Sequence, residues 1–146
     1  MHSVLALWVM TLLSAGTTGG ASPENKYVKV EITVVPQALR PGNEGELLAR
    51  FSPIEGIHVN VDPPVEFRFD SAQVLVLKDD IDLPLDKETG YLDHASPARQ
   101  TFVVPTNSPP GEYLIKGKIV YYYCSDEEGW CTRFTQPLEL TLKVTP

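Results

Sequence analysis

Cysteine, histidine and basic residues are all scarce in this chain of 146 residues. The only cysteines are Cys124 and Cys131, and neither His58 nor His94 stands at ligand spacing from them, so a metal site is disfavoured. Lys and Arg number 12 against 19 Asp and Glu, giving a formal net charge of -7. Such an acidic balance argues against nucleic acid or an anionic lipid surface as partner. The sequence predicts no metal and no cofactor.

Long hydrophobic runs are absent except at the start of the chain. Residues 4–13 form an apolar run that is too short to span a bilayer, and small residues fill 14–22. This pattern predicts a signal peptide over 1–21, cleaved after Ala15 or Ala21, although no basic residue precedes the run. A buried strand or a retained anchor is the alternative. The remainder, 22–146, is about 125 residues and predicts one periplasmic or otherwise exported domain, where paired cysteines can persist as a disulfide.

Helical periodicity, a serine nucleophile elbow and a phosphate-binding glycine loop are also missing. Instead, polar and apolar residues alternate at period two in seven runs separated by Pro, Gly and Asn turn signals. These features predict an all-β fold, an immunoglobulin-like antiparallel β-sandwich in a single domain, with a small closed barrel as the alternative. The predicted strands are 27–34, 46–51, 65–69, 73–77, 100–104, 113–123 and 138–144.

The segment 78–98 interrupts this regular spacing. Six carboxylates are interleaved there with a few apolar residues, among them Tyr91 and Leu92, and no clean strand pattern emerges. A connection of this length in a compact domain is often functional. Two interpretations stay open: a lid over a site, or a solvated irregular edge with a poor strand near Tyr91.

The two cysteines flank a short acidic loop that follows the aromatic run Tyr121-Tyr122-Tyr123. Alternation along the strands places both cysteines on the polar faces, provided that Pro137 introduces no bulge. We therefore expect a disulfide-capable pair near a sheet edge and outside the core, with Cα atoms about 4.4 to 6.8 Å apart. Tyr122 and Trp130 suit either sheet packing or contact with a partner.

Residue chemistry alone leaves the role of this pair open. A disulfide closing a loop of about eight residues contributes roughly 2.5 kcal/mol, which is useful but not decisive for a domain of this size. Asp126, Glu127 and Glu128 disfavour a nearby thiolate whereas Arg133 favours one, so their net effect has no predictable sign. The sequence does not indicate which cysteine attacks. A structural hairpin disulfide and a redox-active pair are both compatible with these residues.

The segment from Gly111-Glu112-Tyr113 through Cys124 and Cys131 to the closing strand 138–142 resembles the N-terminal periplasmic domain of DsbD-type thiol:disulfide interchange proteins. Upstream, Pro41-Gly42 and the run 56–59 leading to Pro63-Pro64 are similar to the same domain. The resemblance covers most of the mature chain, and the two-cysteine hairpin is its specific part. The intercysteine loop is longer here than is usual in the family.

This resemblance implies an immunoglobulin-like domain in which Cys124 and Cys131 relay reducing equivalents. One thioredoxin-fold protein would be the electron donor and another the electron acceptor. The activity would be that of a protein-disulfide reductase or interchange component, with the membrane reached only through a separate partner protein. It also implies a cap within 78–98 with Tyr91 over the disulfide, and Tyr122 and Trp130 as further cap or partner contacts. The alternative is a secreted immunoglobulin-like binding module whose disulfide is purely structural.

Overall fold

Nine β-strands make up the regular structure of the protein in a computed structural model that describes residues 24–70 and 74–146. The predicted signal peptide, 1–21, lies outside these residues. In chain order the strands are β1 (Val28–Val35), β2 (Ala38–Leu39), β3 (Glu44–Pro53), β4 (Ile57–Val59), β5 (Glu66–Phe69), β6 (Val76–Leu77), β7 (Ala98–Val103), β8 (Gly111–Ser125) and β9 (Trp130–Val144).

The strands form two sheets that pack face to face. One sheet has the order β1-β3-β7-β6, and the other has the order β2-β9-β8-β4, with β5 also paired to β8 further along that strand. All pairings are antiparallel except the short parallel contact between β2 and β9. The predicted all-β sandwich in a single domain is therefore confirmed.

The core lies between the sheets and follows from the period-two patterns. In β3 the buried side chains alternate with exposed or half-buried ones, and the same alternation recurs along the second half of β9. The largest completely buried side chains come from both sheets and include Tyr121, Phe51, Phe102, Leu47 and Ile119. Burial of these apolar surfaces is the main term that stabilises the sandwich.

All seven predicted strands correspond to strands of the structure, with shifted ends. Two short strands, β2 and β4, were not predicted, since two and three residues give too little alternation to recognise. The run predicted at 73–77 is reduced to β6, and its first residue, Gln73, lies outside the described residues. Among the residues that the structure describes, no helix is long and apolar enough to cross a membrane.

The long hairpin of β8 and β9 carries the cysteines. Its two strands pair without interruption from Gly111 opposite Val144 to Ser125 opposite Trp130. On its other side β8 is flanked by β5 and then by β4, so close packing is required along its length. At Gly117 a Cβ atom would lie only 2.5 Å from the carbonyl oxygen of Arg68 and 2.8 Å from Phe69 Cδ1, which explains a glycine within this strand.

Candidate functional site

Cys124 and Cys131 form a disulfide that bridges β8 and β9 directly. The two residues are opposite each other in the ladder, and their Cα atoms are 4.0 Å apart. This distance is shorter than the predicted 4.4 to 6.8 Å, because the two cysteines form a non-hydrogen-bonded pair of the antiparallel ladder, the kind in which opposed Cα atoms come closest, at about 4.5 Å. A tight turn closes the hairpin: Gly129, at φ 71°, donates its N–H to Ser125 O over 2.9 Å.

The disulfide lies on the outer face of its sheet, as the alternation predicted. The pairing of β9 with β8 passes Pro137 without a bulge, so Cys131 shares a face with Glu139, Thr141 and Lys143. Neither cysteine belongs to the hydrophobic core cluster. Trp130 points to the opposite face, where its ring packs edge-on against Tyr27 and Tyr123 with centroids 5.2 and 5.9 Å away.

The two sulfur-bearing residues differ sharply in exposure. Cys124 is 5% exposed, whereas Cys131 is an exposed residue. The difference arises because β4 flanks β8 on the Cys124 side: His58 is opposite Cys124 in the ladder, and Asn60 Oδ1 lies 3.4 Å from Cys124 Sγ. A disulfide sulfur has no hydrogen to donate, so this last approach is a packing contact. The disulfide is covered on one side and open on the other.

Three side chains from distant parts of the sequence meet beside Cys124. The rings of His58 and Tyr91 stack with centroids 4.6 Å apart and an interplanar angle of 10°. Tyr91 donates its hydroxyl to Asp126 Oδ1 over 2.8 Å, and the other oxygen of Asp126 lies 3.3 Å from His58 Nε2. We call these three residues the His58 cluster. It connects the segment 78–98 to the turn between the cysteines.

The hydrogen bond to Asp126 is the main cause that raises the pKa of Tyr91 above its ordinary value, and desolvation and the charge of Asp126 act in the same direction. The phenol therefore stays protonated at neutral pH and remains a hydrogen-bond donor. The backbone fixes the position of this side chain from both sides. Gly90 adopts a positive φ of 77°, and the buried Leu92 donates its N–H to Val59 O over 2.9 Å.

The segment 78–98 has order of its own, although a regular strand, β7, begins only at its last residue, Ala98. Isolated bridges join Asp82 to Arg99 and Leu85 to Leu92. Asp86 accepts backbone hydrogen bonds from Glu88 and Thr89, and the bond from Glu88 is the leading cause that lowers the pKa of Asp86. The segment carries Tyr91 onto His58 of β4, while most of its side chains stay exposed or half-buried, so it combines a contact near the disulfide with the solvated edge and poor strand of the second interpretation.

Of the residues singled out from the sequence, Tyr122 lies on the same sheet face as the disulfide and opposite Arg133, while Trp130 lies on the other face. Sequence reasoning missed the partnership of His58 and Asn60 with Cys124. The alternation of Ile57-His58-Val59 suits an outward-facing His58, but three residues are too few to predict a strand or its pairing with Cys124. In the described part of the chain no group of three or more His, Cys, Asp or Glu residues is arranged to hold a metal ion.

Fold and site together define an all-β sandwich with a half-covered disulfide on its outer surface. Neither a protein-family model nor a curated protein matches the chain.

Proposed function

We propose that the protein is an exported thiol-disulfide exchange domain that relays two electrons through the Cys124–Cys131 pair between thioredoxin-fold proteins. The observation that carries the proposal is the unequal exposure of the two cysteines on a sheet face outside the core. A disulfide that only reinforces a hairpin needs no accessible sulfur. One that exchanges needs an accessible sulfur and a protected partner that can act as leaving group and resolving thiol.

The flanking strands favour Cys131 as the attacked sulfur. In thiol-disulfide exchange the attacking, central and leaving sulfur atoms come close to a line. An attack on Cys124 would have to arrive from the β4 side, where His58 and Asn60 stand. An attack on Cys131 arrives from the side of β9 that faces away from β8, where Cys131 is exposed.

Reduction of the disulfide takes two exchange steps. A thiolate of a reduced partner attacks Cys131 Sγ, the bond to Cys124 breaks, and Cys124 leaves as a thiolate that takes up a proton. The partner's second thiolate then attacks the partner's first sulfur atom, which is bonded to Cys131 Sγ in the mixed disulfide, and Cys131 leaves as a thiolate. The partner is oxidised to a disulfide and the domain is reduced to a dithiol. With an oxidised acceptor the steps run in reverse: Cys131 attacks and Cys124 resolves.

The His58 cluster supports a role for Tyr91 as the cap that the family resemblance implies. The Tyr91 ring covers His58, and His58 lies beside Cys124, the leaving group, rather than over Cys131, the attacked residue. In this arrangement the cap protects Cys124 from unrelated thiols while Cys131 stays open to a partner. The reduced Cys124 thiol would find an acceptor in Asn60 Oδ1, which already lies 3.4 Å away.

The proposal is tested by trapping. The oxidised protein is mixed with a reduced thioredoxin-fold protein that lacks its resolving cysteine, quenched with N-ethylmaleimide and mapped by mass spectrometry. We expect a mixed disulfide through Cys131 with the maleimide on Cys124. An adduct through Cys124 would reverse the assignment of the attacked sulfur. Absence of any adduct, while dithiothreitol still reduces the bond, would leave the secreted binding module with a structural disulfide.

A further inference from the structure

The backbone of β9 presents its hydrogen-bonding groups alternately to β8 and to the opposite side. Lys143 donates its N–H to Gln37 O over 3.0 Å, so at this position the backbone faces away from β8 and towards β2. The pairing of β9 with β8 continues without a bulge from Val144 to Trp130. Since the direction alternates residue by residue, the N–H and C=O groups of Thr135, Arg133 and Cys131 also face away from β8.

Two further features agree with this parity, by which the backbone groups of odd-numbered residues of β9 face away from β8. Pro137, which has no N–H, stands at an odd-numbered position where its nitrogen faces outward, and an interior proline is tolerated only at such a place. On the other side of the hairpin, Tyr122 and Lys116 accept backbone hydrogen bonds from Asn60 and Asp70. These two residues of β8 are opposite Arg133 and Glu139, so their backbone groups face away from β9 as the parity requires.

Within residues 24–70 and 74–146, the outward edge of β9 is open next to the disulfide. Strand β2 covers this edge only at Lys143 and Val144. Among the residues that the structure describes, no backbone group pairs with the outward N–H of Cys131 or Arg133, and both residues are exposed. Open edges of this kind recruit extended chains, and proteins commonly block them. Pro137 blocks the middle of β9 and leaves the stretch 131–135, which we call the free edge.

We propose that the free edge receives an extended segment of the thioredoxin-fold partner, which adds to the sheet as a further strand beside the partner's reactive cysteine. This inference rests on the proposed function and specifies where the partner docks. The outward N–H and C=O of Arg133 would pair with the backbone of that segment, and Cys131 is two residues away on the same face. A partner held there approaches Cys131 Sγ from the side opposite Cys124, which is the line that exchange requires.

Arg133→Pro tests the docking because it removes an outward N–H and leaves the hydrogen bonds of the β8–β9 ladder in place. Pro137 shows that β9 accepts a proline at an outward position. Arg133→Ala removes the charged side chain and keeps the N–H. Thr141→Pro is the matched control, since it removes an outward N–H at the far end of the same edge.

The measurement is the second-order rate at which reduced thioredoxin, used as the probe, reduces each oxidised variant, compared with the rate for dithiothreitol. We expect Arg133→Pro to slow thioredoxin about tenfold through the lost hydrogen bond and the proline ring, while dithiothreitol changes less than about twofold. Arg133→Ala and Thr141→Pro should stay close to the wild-type protein. Equal thioredoxin rates for Arg133→Pro and wild type would overturn the docking alone.

Other outcomes separate the docking from the function. A wild-type protein that dithiothreitol reduces and thioredoxin does not would overturn the proposed function and the docking with it. Sedimentation of each variant detects a second copy on the edge: a dimer that Arg133→Pro dissociates would assign the free edge to self-association and overturn partner docking. A thermal midpoint close to wild type for Arg133→Pro ensures that the rates compare folded proteins.

Discussion

Replacing both Cys124 and Cys131 with Ser separates a relay from a structural staple. The residues are seven apart in sequence, so the bond closes an eight-residue loop. The chain-entropy relation gives about 2.5 kcal/mol for a loop of that size. Cys124 is buried, but a serine hydroxyl there can donate to Asn60 Oδ1, so no buried polar group is left without a partner.

The rest of the hairpin stays held together without the bond. The β8–β9 ladder extends from the cysteines to Gly111 and Val144, and the core cluster contains neither cysteine. For a domain of about 120 residues, each kcal/mol shifts the melting temperature by roughly 4 °C, so the double variant should melt about 10 °C lower than the oxidised protein. Unfolding should remain a single cooperative transition.

Thermal unfolding followed by circular dichroism measures this shift. The reduced wild-type protein is the control and should melt near the double variant, because both lack the same cross-link. A double variant that is unfolded at room temperature would refute the reasoning, since the bond would then be required for folding and could not open during a relay. A melting temperature unchanged within about 2 °C would instead contradict the loop-entropy magnitude.

The remaining predictions concern the unequal exposure of the cysteines, the burial of Tyr121 and the close packing at Gly117. In the reduced protein, iodoacetamide should label Cys131 faster than Cys124, and Tyr91→Phe should speed labelling of Cys124 a few-fold without changing Cys131, as peptide mass spectrometry can show. Burial raises the pKa of Tyr121 to about 12, so the contribution of its protonated phenol to stability is present below about pH 10 and lost as the pH rises towards 12. Denaturant titrations should therefore show that the free energy of unfolding falls by about 2 kcal/mol between about pH 9.5 and 11.5. The free energy of unfolding of Tyr121→Phe should fall by less over the same pH range. Gly117→Ala should lower the free energy of unfolding by about 2 kcal/mol or more because its Cβ meets the backbone of a neighbouring strand, and an unchanged denaturation midpoint would contradict that contact.

The long strands could be predicted because each buries one face, which imposes alternation on the residues themselves. The polar-face position of Cys131 followed from counting back along β9, and the outward nitrogen of Pro137 explains why a proline left that count intact. The unequal burial of the cysteines could not be predicted in this way. It depends on β4 lying against β8, where His58 pairs with Cys124. The sequence separation between these two residues is more than half the length of the described chain.

The His58 cluster was out of reach for the same reason. Tyr91 was named only through the family resemblance, and its position on His58 depends on the hydrogen bond of Leu92 to β4 and on the turn that presents Asp126. These are contacts between residues far apart in sequence, which local alternation does not encode. The predicted signal peptide at 1–21 lies outside the described residues and stays a prediction.

The reduction potential of the Cys124–Cys131 bond tests the central claim most directly. A disulfide that cycles with thioredoxin-fold partners must have a potential near theirs, roughly -120 to -270 mV, whereas structural disulfides in secreted proteins typically lie below about -300 mV. Equilibration against glutathione or thioredoxin redox couples, followed by counting of free thiols by mass spectrometry, gives the value. The relay predicts a potential within the exchange range, and a potential below about -300 mV would contradict it.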